Sequence, residues 1–143
     1  MFIGEFSHSV DDKSRVAIPV KFRSDLAQGA VISRGLDNCL TVYPKNEWEK
    51  LADKISKLPL AQKSTRAFTR FLLASAMDVK LDRQGRVVIP DYLKKYGKIK
   101  KKVVVAGLYN RLEIWDEISW NKYRGDTEAK STDIAETLGE LGI

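Results

Sequence analysis

The chain has 143 residues, of which 43% are hydrophobic, so it can form one shared core but hardly two independently stable ones. It carries 25 lysines and arginines against 19 aspartates and glutamates, and the net charge of +6 indicates a polyanionic partner, most simply nucleic acid. A single cysteine excludes a disulfide framework within the chain, and no apolar run reaches the roughly 18 residues of a membrane span. We therefore expect a cytoplasmic protein without a membrane partner.

The first motif along the chain lies near its start and recurs in the second half. Residues 11–19 are D-D-K-S-R-V-A-I-P and residues 82–90 are D-R-Q-G-R-V-V-I-P, so both fit D-x-x-x-R-V-x-I-P with an offset of 71 residues, from position 11 to position 82. An internal repeat constrains the architecture before any single residue is interpreted. We expect two related halves that share one core and present two similar basic turns.

Each half is predicted to contain the same elements in the same order. A strand leads into the motif turn, and a second strand rich in β-branched residues ends at the proline, which cannot donate a ladder hydrogen bond. A short helical turn, two strands around a Gly-Leu-x-Asn turn and a closing helix follow. The predicted segments are strands 16–18 and 87–89, helical turns 21–23 and 92–96 (the second ended by Gly97), turns 35–38 and 107–110, a helix over 48–58, and a shorter helix near Trp120 that Asp116 caps.

The rest of the chain completes a division into four parts. Residues 60–77 are predicted to form a helix, which Pro59 separates from the helix before it. Residues 126–143 hold five carboxylates and one lysine, with apolar residues spaced as in a weak amphipathic helix. The predicted parts are 1–58 (first repeat), 59–77 (connecting helix), 78–125 (second repeat) and 126–143 (acidic C-terminal tail).

The motif turns carry the residues that indicate a binding function. Asp11 and Asp82 can accept backbone N–H groups, so we predict that they orient the loops. Arg15 and Arg86 stand at the root of a strand, where a planar guanidinium group suits a phosphate or a guanine edge. The alternative is that each Asp pairs with its Arg to hold the turn and that nothing binds there. Duplication of the motif in a basic chain favours binding.

The positions between the Asp and the Arg have their own roles. Lys13 and Arg83 add positive charge at the tips of the two turns. Ser14 and Gly85 occupy the position where a left-handed backbone is most favoured, which suits glycine.

Few residues suit catalysis or metal binding. His8 and Cys39 are the only histidine and cysteine and belong to different predicted strands, and two ligands are too few for a zinc site. Walker, dinucleotide-binding and nucleophile-elbow motifs are absent from the sequence. We therefore expect a protein that is not an enzyme and that uses no metal and no cofactor.

These features resemble the MraZ family of bacterial transcriptional regulators, whose chains contain tandem SpoVT/AbrB-like domains. The similarity covers nearly the whole chain, and the duplicated motif at this spacing is its most specific part. The residues that carry it are Met1-Phe-Ile-Gly4-Glu-Phe6, His8, Asp11, Lys13, Arg15, Ile18-Pro19, Phe22-Arg23, Asp82, Gly85-Arg86-Val87 and Ile89-Pro90.

The resemblance implies both a fold and a function. The fold is mixed α+β and mainly β: a pseudo-two-fold, swapped-hairpin, AbrB-like double-psi-type barrel built from two internal repeats, with flanking helices. The function is that of a sequence-specific repressor of the division and cell-wall gene cluster, associated with the nucleoid. It binds short direct repeats in double-stranded promoter DNA upstream of its own gene as a ring-shaped homo-oligomer.

The resemblance also places the DNA-binding surface on the two D-x-x-x-R segments. We predict base contacts from Arg15 and Arg86 and phosphate contacts from Lys13 and Arg83. Ser14 stands where the family usually has glycine, at a cost of about 1 kcal/mol if φ is positive. The predicted DNA-binding residues are Lys13, Ser14, Arg15, Arg83, Gln84 and Arg86, with Lys21 and Arg23 as extensions of the footprint.

An alternative is an AbrB-like antitoxin-type module that holds a protein partner. Such antitoxins usually have one module and a longer tail. The two modules and the short acidic tail of this chain favour the regulator.

Overall fold

Eight strands and five helices form the part of the chain that the computed structural model describes, residues 1–142. Short 3-10 turns lie at Val20–Phe22, Ser24–Leu26 and Leu36–Asn38. The strands are β1 Phe2–Ser9, β2 Arg15–Ala17, β3 Ala30–Arg34, β4 Leu40–Pro44, β5 Met77–Val79, β6 Arg86–Val88, β7 Lys102–Tyr109 and β8 Leu112–Asp116. The helices are α1 Lys45–Ser56, α2 Lys63–Leu73, α3 Asp91–Tyr96, α4 Glu117–Ala129 and α5 Ser131–Gly139.

Six of the strands form one antiparallel sheet in the order β1-β7-β8-β4-β3-β5. The sheet joins the two halves of the chain three times, because β1 pairs with β7, β4 pairs with β8 and β3 pairs with β5. The mixed α+β class predicted from the sequence is therefore confirmed, as is the expectation that the repeats share one core.

The other two strands, β2 and β6, pair with each other as a short antiparallel ribbon. Val16 lies opposite Val87 at its centre, and both side chains are fully buried. Beyond the strands, Ile18 N–H donates to Gly85 O (2.8 Å) and Ile89 N–H donates to Ser14 O (2.8 Å). These two hydrogen bonds join equivalent residues of the two motifs, so a pseudo-two-fold axis passes through the ribbon and places the motif turns at its opposite ends.

The hydrophobic core lies between the ribbon and one face of the six-stranded sheet. Alternate residues of the sheet strands, such as Ile32, Val42 and Ile114, point to this core together with the two ribbon valines. The other face of the sheet is covered by α1, α2 and α4, which contact β3, β4, β7 and β8. Within residues 1–142, no helix combines the length and the apolar composition needed to cross a bilayer.

Two of the predicted helices differ in length from expectation. The helix expected over 60–77 is shorter, since α2 spans Lys63–Leu73 and Met77 already begins β5. The closing helix of the second half was expected to be the shorter one, but α4 has 13 residues and α1 has 12. Asp116 caps α4 as predicted by accepting from Ser119 N–H (3.5 Å), and Trp120 Nε1–H anchors the helix to Glu5 on β1 (3.1 Å).

The two Gly-Leu-x-Asn turns, predicted to be alike, are different. In the first half a 3-10 turn follows Gly35, and Asp37 and Asn38 both have positive φ. In the second half β7 continues through Leu108 to Tyr109, because β1 pairs with it along all eight residues. A tight hairpin then closes where Leu108 N–H donates to Arg111 O (2.9 Å).

Candidate nucleic-acid interface

The two motif turns, here called the first motif loop (11–15) and the second motif loop (82–86), contain the same hydrogen bonds. In the first, Asp11 Oδ1 accepts the backbone N–H of Lys13 (2.9 Å) and Arg15 (2.9 Å), and Oδ2 accepts Arg15 Nε–H (2.7 Å). In the second, Asp82 Oδ1 accepts from Gln84 and Arg86 N–H (2.9 Å each), and Oδ2 accepts Arg86 Nε–H (2.9 Å). Each carboxylate thus fixes both its loop and its arginine, which is what an orienting role requires.

These hydrogen bonds keep both carboxylates ionised. The backbone N–H of Arg15, helped by the Arg15 side chain and the Lys13 N–H, lowers the pKa of Asp11 below its ordinary value. The backbone N–H of Arg86 lowers the pKa of Asp82 for the same reason. Partial burial acts in the opposite direction in both loops and is outweighed.

The two arginines are held in place but keep donors for a ligand. Arg15 and Arg86 are 28% and 26% exposed, and each gives its Nε–H to the Asp of its own loop. Arg86 Nη1 also lies 3.6 Å from Asp11 Oδ2, so Arg86 reaches across the short ribbon to the Asp of the first loop. In the part of the chain that the structure describes, the Nη groups of these arginines donate no hydrogen bond. These Nη groups therefore remain available to donate to a ligand.

The residue before each arginine has the left-handed backbone that the sequence predicts. Ser14 has φ 59° and Gly85 has φ 75°. Lys94 Nζ donates to Ser14 Oγ (3.0 Å) in the first loop. In the second loop Arg23 lies over Gly85 so closely that a Cβ there would be 2.1 Å from Arg23 Nε. Both motif loops are therefore completed by a basic side chain from elsewhere in the chain.

These two basic residues are equivalent to each other under the internal repeat. Arg23 and Lys94 are 71 residues apart, like the motifs themselves, and each comes from the helical turn after its own proline. Because the motif strands cross in the ribbon, each residue reaches the loop of the other half. Sequence reasoning missed Lys94, although extending the repeat alignment four residues beyond the second proline would have found it.

The remaining predicted residues occupy different surroundings. Lys13, Arg83 and Gln84 are exposed at the tips of the loops. Lys21 contacts aromatic rings: its Nζ lies 5.2 Å from the ring centroids of both Phe6 and Phe22. A role for Lys21 in a DNA footprint stays a prediction.

His8 and Cys39 are not brought together into a site. The Cys39 thiol is buried and donates to Leu36 O (3.2 Å), and burial raises its pKa, so it stays protonated. Burial, with the nearby Arg23 charge, lowers the pKa of His8 and keeps it neutral at pH 7. Residues 1–142 contain no group of three His, Cys, Asp or Glu side chains placed to hold a metal ion.

Comparison with known proteins identifies the family of the chain. A family model described as "MraZ protein, putative antitoxin-like" matches residues 1–71 and again residues 72–140. The chain is 46% identical to the transcriptional regulator MraZ of Natranaerobius thermophilus and 46% identical to that of Clostridium tetani, with both chains covered completely in each case. It is 44% identical to the transcriptional regulator MraZ of Halothermothrix orenii, again over the full length of both.

These matches define a class of proteins built from two copies of one domain whose named relatives are regulators of transcription. The chain belongs to the MraZ family. Membership of a regulator family confirms the prediction that the chain is not an enzyme.

Proposed function

We propose that the chain is a transcriptional regulator that binds double-stranded DNA in a sequence-specific manner through its two motif loops. The observation that carries this proposal is the duplicated loop: the same Asp-held arginine occurs twice, about one pseudo-two-fold axis, on a basic body. The names of the relatives support regulation of transcription. The basic charge supports a nucleic-acid partner.

The roles within each loop follow from geometry and charge. Arg15 and Arg86 contact base edges, because their guanidinium groups are oriented through Nε and their Nη groups donate no hydrogen bond within residues 1–142. Lys13 and Arg83 contact phosphates from the exposed tips, and Ser14 and Gln84 complete the DNA-binding set. Asp11 and Asp82 orient the arginines and do not touch DNA.

The loop surroundings support unequal roles for the two loops. The first loop, with Lys13, binds more strongly, and the second contributes more to positioning. Arg23 extends the footprint beside the second loop, and Lys21 extends it further along the same turn.

The finer fold assignment is part of the same proposal. We infer that ribbon and sheet together make the swapped-hairpin, AbrB-like double-psi-type barrel, with repeats at 1–58 and 78–125, a connecting helix at 59–77 and an acidic tail at 126–143. The reciprocal hydrogen bonds across the ribbon and the pairing of β1 with β7 support this interlocked arrangement.

The target and the assembly are proposed from the family resemblance. The chain represses the division and cell-wall gene cluster by binding direct repeats upstream of its own gene as a ring-shaped oligomer on the nucleoid. One chain has only a few cations at its loops, so its affinity for DNA is modest. Several subunits on successive repeats would raise the total affinity through effective concentration.

The test is footprinting on the DNA upstream of the gene for this chain, with wild-type protein and Arg15→Ala. We expect protection of evenly spaced short repeats, and a loss of roughly 10- to 100-fold in affinity for Arg15→Ala, the usual value of one bidentate base contact. Lys54→Ala, which removes one exposed charge from α1, is the matched control and should bind like wild type. Unchanged binding by Arg15→Ala, with assembly and melting temperature intact, would refute the assignment.

A second candidate function is an antitoxin-like module that holds a protein partner, and the antitoxin-like character ascribed to the family favours it. Affinity purification of the full chain from its own cells distinguishes the two. A stoichiometric protein partner that Arg15→Ala still retains would support the antitoxin-like function, whereas recovery of promoter DNA that Arg15→Ala loses would support the regulator.

A further inference from the structure

A concave, strongly basic surface lies beside the first motif loop, and we call it the lysine groove. Its volume is about 390 Å³. Four of its six lining residues are lysines, and only one is acidic. The lining residues are Asp91, Lys94, Lys95, Lys98, Ile99 and Lys100.

The charge of the groove is not neutralised from within the chain. Among residues 1–142, none of the four ammonium groups lies within ion-pair distance of a carboxylate. Their one side-chain hydrogen bond to the protein is the bond from Lys94 to the neutral hydroxyl of Ser14. Like charges that share a concave surface repel one another, and an anion bound there relieves that repulsion.

The groove is continuous with the first motif loop. Lys94 lines the groove and also contacts Ser14 at 3.0 Å, in the middle of the loop. At the other end of the groove, Val10 N–H donates to Lys101 O (2.7 Å), so the segment that enters the loop runs alongside the residue after Lys100. A long ligand that contacts the loop therefore reaches the groove without crossing another surface.

The second motif loop has an equivalent surface that is less basic. Three basic residues line it (Arg23, Lys80 and Arg83), against four in the lysine groove, and its Ala27 and Gln28 stand at the positions equivalent to Lys98 and Ile99. Its volume is about 520 Å³, and its one acidic residue, Asp82, already bonds to Arg86. The repeat alone therefore does not account for the lysines beside the first loop. The surface beside the second loop has Ala27 at the position where the lysine groove has Lys98.

We propose that the lysine groove binds the phosphodiester backbone of a DNA duplex next to the bases that the first motif loop contacts. This inference rests on the proposed function and extends it to residues outside the motif. Ammonium groups on flexible stems suit phosphate without reading sequence. The groove therefore adds affinity and fixes the path of the duplex, while Arg15 supplies the sequence preference.

The test compares two variants of the full chain that lose the same charge. Lys95→Gln/Lys98→Gln/Lys100→Gln removes three groove charges and leaves Lys94 on Ser14. Lys54→Gln/Lys63→Gln/Lys122→Gln removes three exposed charges from α1, α2 and α4 and is the control. Fluorescence anisotropy measures affinity over a range of salt concentrations for a labelled duplex from upstream of the gene.

Each phosphate contact contributes about 0.9 to the slope of log affinity against log salt. We expect the groove variant to lose roughly 2 to 3 from that slope and to keep its preference for the upstream duplex over a scrambled one. The control variant should keep the wild-type slope. A groove variant with the slope of the control would overturn the inference.

Two further arms separate this inference from related outcomes. Arg15→Ala is measured in parallel: if wild type binds the upstream duplex and Arg15→Ala does not, the proposed function stands whatever the groove variant does. Calorimetry with inorganic triphosphate tests for a small phosphorylated ligand. Triphosphate binding that the groove variant loses, with an unchanged slope on duplex DNA, would make the groove a small-anion site and overturn the duplex assignment.

Discussion

The residues at the left-handed positions of the two motif loops are matched to the basic side chains that contact them. Ser14 carries a conformational cost of about 1 kcal/mol at φ 59°, and its hydroxyl accepts from Lys94 in partial compensation. At Gly85 the space for a Cβ is filled by Arg23, whose Nε–H is held by Ile18 O (2.9 Å). Serine is therefore tolerated opposite lysine, and glycine is required under arginine.

This pairing predicts a coupling between positions 85 and 23. Gly85→Ser should destabilise the protein by about 2 to 4 kcal/mol, because it adds left-handed strain and displaces Arg23 from Ile18 O. Adding Arg23→Lys should recover part of that loss, since a lysine there can bond to the new hydroxyl as Lys94 bonds to Ser14. Urea unfolding of the two single variants and the double variant measures the coupling free energy.

The expected coupling is about 0.5 to 3 kcal/mol in favour of the double variant. Lys21→Arg combined with Gly85→Ser is the control and should give additive effects, because Lys21 lies against Phe6 and Phe22. Strict additivity for Arg23→Lys with Gly85→Ser would show that the contact seen at this loop does not contribute to stability.

At the scale of single elements, the length of a strand is set by its partner. β3 pairs with β4 over its five residues and ends where that pairing ends, at Arg34 opposite Leu40, whereas β7 extends to Tyr109 along the whole of β1. Gly107 makes that extension possible: a Cβ there would lie 2.6 Å from Ile3 N, so only glycine allows β1 to approach.

Gly107→Ala should therefore push β1 away from the sheet. We expect a loss of about 1 to 3 kcal/mol, the usual cost of forced overpacking, and faster amide hydrogen exchange along β1. Gly125→Ala is the matched control. Nothing lies within 4 Å of a Cβ at that position of α4, so it should stabilise the protein by roughly 0.5 to 1 kcal/mol. Unchanged exchange in β1 for Gly107→Ala would contradict the pairing.

At the scale of the whole molecule, local sequence patterns predicted which elements form, and long-range contacts determined strand lengths and the side chains that meet at the motif loops. Three kinds of feature depend on neighbours in sequence: the motif turns, the strands that end before Pro19 and Pro90, and the helix cap at Asp116. The structure contains all of them. The contact of Lys94 with Ser14 spans 80 residues, so no local pattern contains it. The length of β7 likewise depends on its distant partner β1. The DNA-contact roles of the loop residues stay predictions.

The distribution of charge leads to a prediction for the tail. Residues 131–143 contain three carboxylates and neither lysine nor arginine, and no described side chain of α5 is buried. Truncation of the chain after Lys130 should leave the melting temperature unchanged. It should raise the affinity for non-specific duplex DNA severalfold at low salt, and the difference should be lost at high salt.

The full chain with Asp133→Asn/Glu136→Gln/Glu140→Gln is the control, because it removes the same charge without shortening the chain. Both proteins should bind more tightly by the same factor in anisotropy measurements. Equal affinities for the full chain, the neutralised chain and the truncated chain would mean that the tail does not weaken DNA binding through its charge.

The ribbon of β2 and β6 has a consequence for how the protein is made. β2 cannot pair until β6 has left the ribosome, and β1 must wait still longer for β7. At typical rates of synthesis, the 71 residues between the motifs take roughly 4 to 14 s to translate. During that interval β2 has no partner strand, and Val16, fully buried in the folded chain, lacks the Val87 that lies opposite it. We infer that folding is a late event in synthesis, and that the two halves made as separate polypeptides would fold only upon meeting each other.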